Sequence, residues 1–387
     1  MQDALPLLNG LTPQQFMAEY WQKKPLLIRG AMPGFTGLLD PDELAGLACE
    51  TEVPARLIQF DPGRAQQGAG WQVSQGPFDE EDFAVLPARH WTLLVQGVNH
   101  ILPEAQALLA QFNFIPNARL DDVMVSYAPA GGGVGPHVDS YDVFLLQGAG
   151  KRRWRISQQA DLRLIPDAPL RILSHFASEQ EWVLEPGDML YLPPQVAHWG
   201  IAEDDDCMTY SIGFRAPAAR ELAIEFLETC RQDGMPDELY QDPDLHPVTD
   251  AAAIDGGMVS RVSDMLQRLS WQPAELGPFL ARYFTEPKPY VVFTPNRKLA
   301  EGKFTQQVMQ HGVALDLQTQ ILHWQGQYFI NGEQVSVPVA GECLLNVLAN
   351  SRELSAQLCR TDSAQSLLPW LREMYLLGYL HFPENKA

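Results

Sequence analysis

The chain has 387 residues, which is long for one hydrophobic core, so we expect two or three domains. Its formal net charge of −21 argues against a general nucleic-acid binder, which needs a basic surface. The 5 cysteines are scattered without a C-x-x-C pair, which argues against a disulfide framework and a structural zinc site and favours a reducing cytoplasm. Apolar runs are too short to span a bilayer, and the N-terminus lacks the basic region of a secretory signal.

Helix signals come first along the chain. Residues 12–15 supply a capping threonine, a proline suited to the first helical position and a glutamine that completes a capping box. Residues 40–43 repeat this pattern with Asp, Pro and Glu, and they predict a helix over about residues 41–49. A third helix is predicted over residues 103–112.

From about Leu120 the pattern changes to short β-rich runs separated by Gly and Pro. Several short strands at close spacing predict a sandwich or barrel. The predicted strands lie at residues 121–127, 137–147, 152–156, 171–175, 181–184, 189–192 and 208–214.

Strand signals stop after residue 217, and helical patterns return. Asn331-Gly332 is the strongest hairpin turn in the chain, and its combination with flanking helices predicts a small winged-helix-like domain. The remaining predicted elements are a helix over 218–231, a Pro- and Asp-rich loop over 232–250, one or two helices over 251–284, a linker at 286–289, a hairpin over 321–337 and helices over 340–350 and 363–377.

Three residues form a candidate metal site. His137 and Asp139 are two residues apart on a predicted strand, where side chains alternate, so both point to one face. His198 follows another predicted strand and supplies a third ligand. Two histidines and one carboxylate form the facial triad of non-heme Fe(II) oxygenases, although the same ligands also suit a zinc hydrolase.

Two acidic runs lie at residues 79–82 and 203–206. Each taken alone is best interpreted as a solvated loop. The acidity of the whole chain favours basic partners through long-range electrostatic steering.

Residues 184–194, LEPGDMLYLPP, together with the H-x-D motif at 137–139, resemble the JmjC oxygenases of the cupin superfamily, and within them the ribosomal oxygenases. Residues 20–30, YWQKKPLLIRG, resemble the segment that leads into such domains. Further support comes from residues 73–78, 131–141 and 210–217. The resemblance is strong over roughly residues 15–220 and mostly architectural beyond them.

The resemblance implies an α+β fold with three parts. A JmjC domain, which is a double-stranded β-helix (cupin/JmjC jelly roll) with N-terminal helices, would cover residues 1–217. A helical dimerisation segment would cover residues 218–286, and a winged-helix-like domain would cover residues 287–387. The winged helix of this family is not taken to bind DNA.

The activity implied by the resemblance is Fe(II)- and 2-oxoglutarate-dependent protein hydroxylation, with O2 consumed and succinate and CO2 released. The implied target is the β-carbon, C3, of an arginine in a large-subunit ribosomal protein. The partners would be that basic protein and a second copy of the chain in a homodimer, in the cytoplasm, without a membrane and without direct DNA binding. The catalytic metal ligands would be His137, Asp139 and His198.

Residues for the cosubstrate follow from the same resemblance. Arg152 stands where the family binds the distal carboxylate of 2-oxoglutarate, and Ser126 matches a hydroxyl that helps. Period 2 places Arg152 on the opposite face of its strand from Arg153 and Arg155. An arginine can grip a carboxylate through two hydrogen bonds, so Arg152 suits this task.

Residues for the substrate follow similar logic. Asp122 would pair with the guanidinium of the target arginine, while Met124 and Tyr141 enclose its aliphatic stem. Ser211 matches a further substrate contact. Three alternatives stay open: an oxygenase of the same class that acts on histidine or another side chain, a cupin metalloenzyme that does not use 2-oxoglutarate, and a non-catalytic assembly module that kept the fold.

Overall fold

The computed structural model describes residues 3–64, 70–233, 239–243, 254, 256–267 and 273–383. Its N-terminal part combines helices with strands. These elements are α1 (Pro13–Glu19), β1 (Leu26–Ile28), α2 (Pro41–Ala48), β2 (Ala55–Phe60), β3 (Trp71–Gln75), α3 (Glu80–Ala84), β4 (Trp91–Val95) and α4 (Pro103–Ala110).

Both predicted capping boxes are confirmed. The Thr12 hydroxyl accepts the backbone N–H of Gln15 at 3.1 Å, and the Gln15 side chain accepts that of Thr12 at 2.9 Å. Asp40 and Glu43 make the same reciprocal pair at the start of α2. These bonds satisfy backbone donors that the first helical turn leaves free.

The sequence indicated only helices before Leu120, but the structure also has the four strands β1–β4 in that region, so the expectation was incomplete. In β4 the last four residues are all buried, and β2 also lacks a regular alternation. Strands covered on both faces lose the polar-apolar alternation by which a strand is recognised in a sequence. At three residues, β1 is also too short to show a period.

Two antiparallel sheets form the double-stranded β-helix. Their further strands are β5 (Leu120–Ala128), β6 (Val143–Ala149), β7 (Arg152–Ser157), β8 (Gln180–Leu184), β9 (Met189–Leu192), β10 (Ala197–Ala202) and β11 (Cys207–Phe214). The larger sheet has the strand order β1-β9-β6-β11-β5-β4-β2-β3, and the smaller has the order β10-β7-β8. A cavity between them is lined by residues of both.

Three strand predictions need correction. The strand predicted from His137 begins only at Val143, because His137 makes an isolated bridge to His198 and the residues between follow a loop. The segment 171–175 forms no strand beyond the single bridge of Leu173 to Leu164. His198 lies inside β10, which the sequence did not predict, instead of after a strand.

The C-terminal part was predicted more closely. Residues 234–238 and 244–250, which cover most of the predicted loop, lie outside the described residues. The C-terminal elements are α5 (Ala219–Asp233), α6 (Gly256–Gln267), α7 (Pro273–Thr285), α8 (Glu301–His311), β12 (Val313–Leu315), β13 (Ile321–Trp324), β14 (Gln327–Ile330), β15 (Glu333–Val335), α9 (Glu342–Ser351), β16 (Glu353–Leu354), α10 (Ala356–Cys359), α11 (Asp362–Leu376) and β17 (Leu380–His381).

The predicted hairpin is two consecutive hairpins, β13–β14 and β14–β15. Asn331 and Gly332 have φ values of 48° and 86°, the left-handed pair that a tight two-residue turn requires. Gln325 and Gly326 repeat this geometry one hairpin earlier, where glutamine gave no turn signal.

Each half of the chain has its own hydrophobic core. The N-terminal core is built around fully buried Phe16, Phe144 and Tyr191, and the C-terminal core around Phe304 and Leu345. Domain boundaries at 217 and 286 stay predictions. Within the described residues, no helix combines the length and the hydropathy needed to cross a membrane.

Candidate metal and cosubstrate site

The structure brings His137, Asp139 and His198 together at one end of the cavity, with a ligand atom of each within 4.8 Å of the others. His137 Nε2 lies 3.9 Å from one carboxylate oxygen of Asp139, and His198 Nε2 lies 3.5 Å from the other. Each of these spacings leaves room for a metal ion between the donors. Two histidines and one carboxylate are the ligands of non-heme iron, so the donor set fits Fe(II).

The backbone orients both imidazole rings. His137 Nδ1 lies 2.9 Å from the carbonyl oxygen of Gly135, and His198 Nδ1 lies 2.9 Å from that of Val196. A carbonyl can only accept, so each Nδ1 carries the proton and each Nε2 keeps a lone pair for the metal. Burial, and then the neighbouring His137, lowers the pKa of His198 to about 4, which keeps its ring neutral at physiological pH.

The irregular backbone around the H-x-D motif has a steric basis. His137 and His198 exchange two backbone hydrogen bonds of 3.0 and 2.9 Å, and the N–H of Gln195 donates to the carbonyl of Asp139. Gly135 has a φ of 83°, and a Cβ there would lie 2.7 Å from the ring of Trp71. Only glycine therefore fits beside the first ligand.

The cavity beside the triad has a volume of about 470 Å³. All nine residues that the sequence predicted for the site line it, so the structure gathers side chains from β5, β7, β10, β11 and the H-x-D loop. They are Asp122, Met124, Ser126, His137, Asp139, Tyr141, Arg152, His198 and Ser211.

Arg152 is a buried cation inside this cavity. Arg152 is only 3% exposed. Its Nε donates a hydrogen bond to Cys207 Sγ at 3.3 Å, whereas its Nη2 has no partner among the described residues. A buried guanidinium nitrogen without an acceptor is costly, which indicates that an anion completes the site. One carboxylate of 2-oxoglutarate fits that requirement.

The predicted alternation along β7 is confirmed. Arg153 and Arg155 point away from the cavity and pair with Glu181 on β8. Arg153 also pairs with Glu203 at 2.6 Å. The outer arginines therefore serve the surface of the small sheet, and Arg152 alone of the three enters the site.

Polar groups of the large sheet surround the same space. Ser126 Oγ lies 3.5 Å from the carbonyl oxygen of Thr209, a weak contact that leaves the hydroxyl free to turn toward a ligand. The Thr209 hydroxyl donates to Gln147 at 3.0 Å. Ser126 is thus available for a carboxylate, whereas Thr209 is already committed.

Asp122 and Tyr141 also line the cavity. Asp122 is 7% exposed, and its Oδ2 accepts the backbone N–H of Gly97 at 3.0 Å. Burial raises the pKa of Asp122, and nearby Lys288 opposes that effect. Tyr141 is 39% exposed at the mouth, where burial of its ring and the charge of Asp139 raise the pKa of the phenol.

Sequence reasoning missed Arg56 and Arg171, which also line the cavity. Arg56 lies on β2, and its Nε is buried without a partner among the described residues. It could not be found because β2 itself was not predicted. Arg171 was assigned to a strand that does not form.

Comparison with known proteins agrees with this architecture. Residues 107–222 match the JmjC domain, and residues 268–378 match the ROXA-like winged helix. The chain is 34% identical to the ribosomal protein uL16 3-hydroxylase of Escherichia coli over 345 residues, which are 88% of this chain and 90% of that protein. It is 40% identical to a probable ribosomal oxygenase of Haemophilus influenzae over 244 residues, 62% of this chain and 56% of that one.

Solved structures give the same result. The structure of YcfD, a ribosomal oxygenase from Escherichia coli, in complex with cobalt and 2-oxoglutarate aligns with a TM-score of 0.82 at 33% identity, and the alignment covers 96% of this chain and 98% of that one. These matches establish the class: the protein is a JmjC oxygenase that uses Fe(II), 2-oxoglutarate and O2. Within that class, its sequence identity of 34% to the Escherichia coli enzyme, over most of both chains, makes it a member of the ribosomal oxygenase family. The predicted jelly roll with a winged-helix domain is confirmed.

Proposed function

We propose that this protein hydroxylates C3 of an arginine in a large-subunit ribosomal protein, with succinate and CO2 as co-products. The observation that carries the proposal is the buried carboxylate of Asp122 in the cavity that also holds the metal triad. A buried acid in the same cavity as the metal site suits a substrate side chain that is long and cationic. The relative from Escherichia coli named as a uL16 3-hydroxylase supports the same substrate class.

The cosubstrate side of the proposal assigns five residues. His137, Asp139 and His198 hold the iron, which supplies the oxidising power together with 2-oxoglutarate and O2. Arg152 binds the distal carboxylate of 2-oxoglutarate through its unpartnered guanidinium nitrogen, and Ser126 donates its hydroxyl to the same group.

The substrate side assigns four more. Asp122 pairs with the guanidinium, Met124 and Tyr141 enclose the methylene stem, and Ser211 contacts the bound side chain. With its head group fixed by Asp122, the arginine presents its β-carbon toward the metal end of the cavity. A shorter or neutral side chain would lose that anchor.

Succinate release with synthetic peptides tests the proposal. Peptides from basic, arginine-containing segments of large-subunit ribosomal proteins should stimulate 2-oxoglutarate turnover, and the product should gain one oxygen on an arginine. A matched peptide with lysine in place of that arginine should react poorly, because lysine cannot present the planar guanidinium fork. Hydroxylation of a histidine peptide in preference to every arginine peptide would refute the proposal and favour the histidine-directed alternative.

We also propose that the protein acts as a cytoplasmic homodimer and does not bind DNA directly. The dimer surface would include α6, whose apolar side chains Met258, Val259, Val262 and Leu266 are exposed at helical spacing. The net charge of −21 supports the absence of DNA binding. Val262→Glu should shift the mass measured by light scattering from dimer to monomer, whereas Val292→Glu, at an exposed valine outside the helix, should not.

A further inference from the structure

The segment that follows α7 reaches the active site. Lys288, which the sequence placed in a linker, extends its ammonium group to the start of β5. Its Nζ lies 2.8 Å from Asp121 Oδ1 and 3.8 Å from Asp122 Oδ2. Asp121 and Asp122 both line the cavity, so a residue outside the JmjC jelly roll contacts two of its acids.

The two oxygens of Asp122 have different surroundings. Oδ2 accepts the N–H of Gly97 and faces Lys288. A Cβ placed at Gly213 on β11, another residue of the cavity wall, would lie 3.7 Å from Oδ1. The protein therefore holds Oδ2, whereas Oδ1 has no hydrogen bond or ion pair among the described residues.

We infer that Lys288 is a positioning residue for substrate specificity: with Gly97, it fixes Asp122 as an oriented carboxylate whose Oδ1 receives the guanidinium of the target arginine. This inference rests on the proposed function, because it assigns Lys288 a role toward that same substrate. It adds a contribution from the segment between α7 and α8 to a site built otherwise by the jelly roll.

The electrostatics around Asp122 require such a cation. Burial raises the pKa of this carboxyl group, Lys288 lowers it, and the adjacent Asp121 raises it again. Without Lys288 the acid would keep the burial penalty and the repulsion of Asp121, so it would take up a proton more readily. A protonated Asp122 offers the guanidinium no negative charge. The other charged or titratable groups facing this cluster are Arg215, Tyr290, His100 and Tyr141.

A purely structural role for Lys288 makes a different prediction. If the lysine only joined the C-terminal segment to the jelly roll, its loss would weaken peptide binding equally at every pH. If it acts through Asp122, the loss must grow as the pH falls, because protonation of the acid then competes with peptide binding.

Calorimetry with the full-length protein separates these roles. An arginine peptide that stimulates the wild type is titrated into protein loaded with Mn(II) and 2-oxoglutarate without O2, between about pH 6 and about pH 8. Since an opposite charge at this distance shifts a carboxyl pKa by about one unit, Lys288→Met should weaken binding by up to about ten-fold at the acid end and by less at the alkaline end. Lys288→Arg, which keeps the charge, should restore most of the affinity.

Two controls accompany the titration. Lys298→Met removes an exposed lysine of the same segment and should bind the peptide like the wild type at each pH. The circular dichroism spectrum of Lys288→Met should match that of the wild type, which shows that the variant is folded. Wild-type affinity in Lys288→Met, or a loss independent of pH, would overturn the inference while the proposed function stands. If no arginine peptide binds the wild type, the proposed function fails and the inference fails with it.

Discussion

Replacing Arg152 by methionine tests the cosubstrate site at its buried cation. Methionine keeps most of the side-chain volume but removes the charge and all the N–H donors of the guanidinium. Because Arg152 Nη2 has no partner among the described residues, its removal leaves no carboxylate of the protein unpaired. The free energy of unfolding without 2-oxoglutarate should therefore stay equal or rise, unlike the usual loss when one partner of a buried ion pair is removed.

The effect on 2-oxoglutarate is expected to be large. A hydrogen bond to a charged group contributes about 1.5–3 kcal/mol, so Kd should rise roughly ten-fold to more than a hundred-fold. At about one hundred times the wild-type Kd, the ligand stabilises the wild type by about 2.7 kcal/mol. If Kd rises about a hundred-fold, the same concentration stabilises the variant by only about 0.4 kcal/mol.

The assay is thermal unfolding of the Mn(II)-loaded protein with and without 2-oxoglutarate. Arg153→Met is the matched control on the same strand, because Arg153 pairs with Glu181 and Glu203 at the surface, where ion pairs contribute little to stability. It should retain the wild-type shift of Tm with 2-oxoglutarate. A wild-type shift in Arg152→Met, or loss of the shift in Arg153→Met alone, would refute the assignment.

Three further predictions follow from the site. His137→Ala, Asp139→Ala and His198→Ala should each abolish turnover and weaken Fe(II) binding while circular dichroism stays unchanged, because backbone bonds hold the site; full activity in one variant would remove that residue from the triad. Asp122→Ala should lose peptide hydroxylation at low and high salt alike and keep uncoupled 2-oxoglutarate decarboxylation, since a pocket ion pair is screened weakly; undiminished hydroxylation would refute the proposed pocket. Burial, and then the charges of Lys288 and Arg352, lower the pKa of His100 to about 4. Because the unfolded chain takes up a proton here at a higher pH than the native state does, the protein should lose up to about 3 kcal/mol of stability as the pH falls from about 6.5 to about 4. Urea unfolding should show that slope in the wild type and a weaker one in His100→Asn, and equal slopes would contradict the assignment.

The metal site could be predicted because its chemistry is local in the sequence. The residue types alone, two histidines and one aspartate, are those that bind non-heme iron, so they could be recognised without knowing the fold. The physical reason given for His137 and Asp139 was only partly right, since they lie on a loop with one bridge and not on a regular strand.

Arg152 shows where periodicity works well. On β7 the residues alternate between cavity and surface, so the sequence separates Arg152 from its neighbours Arg153 and Arg155. On β2 and β4 the same reasoning fails, because the burial pattern does not alternate regularly along either strand. Arg56 was missed together with its strand.

Lys288 and the acidic run at 203–206 depend on contacts that are distant in sequence. Lys288 follows a helix and precedes a proline, so its local pattern indicated only a linker. The acidic run is more than a solvated loop, since Asp204 accepts the N–H of Lys151 at 3.1 Å and Asp205 accepts that of Ala130 at 3.2 Å. Such pairings require the tertiary structure.

Mass spectrometry of large-subunit ribosomal proteins, from cells with and without this gene, tests the central claim most directly. The proposed function predicts one arginine that carries the mass of one added oxygen in cells with the gene, and its unmodified form in cells without it. Fragment ions should place that oxygen on the arginine side chain. Identical spectra from the two cells, or an added oxygen on histidine instead of arginine, would contradict the proposed function.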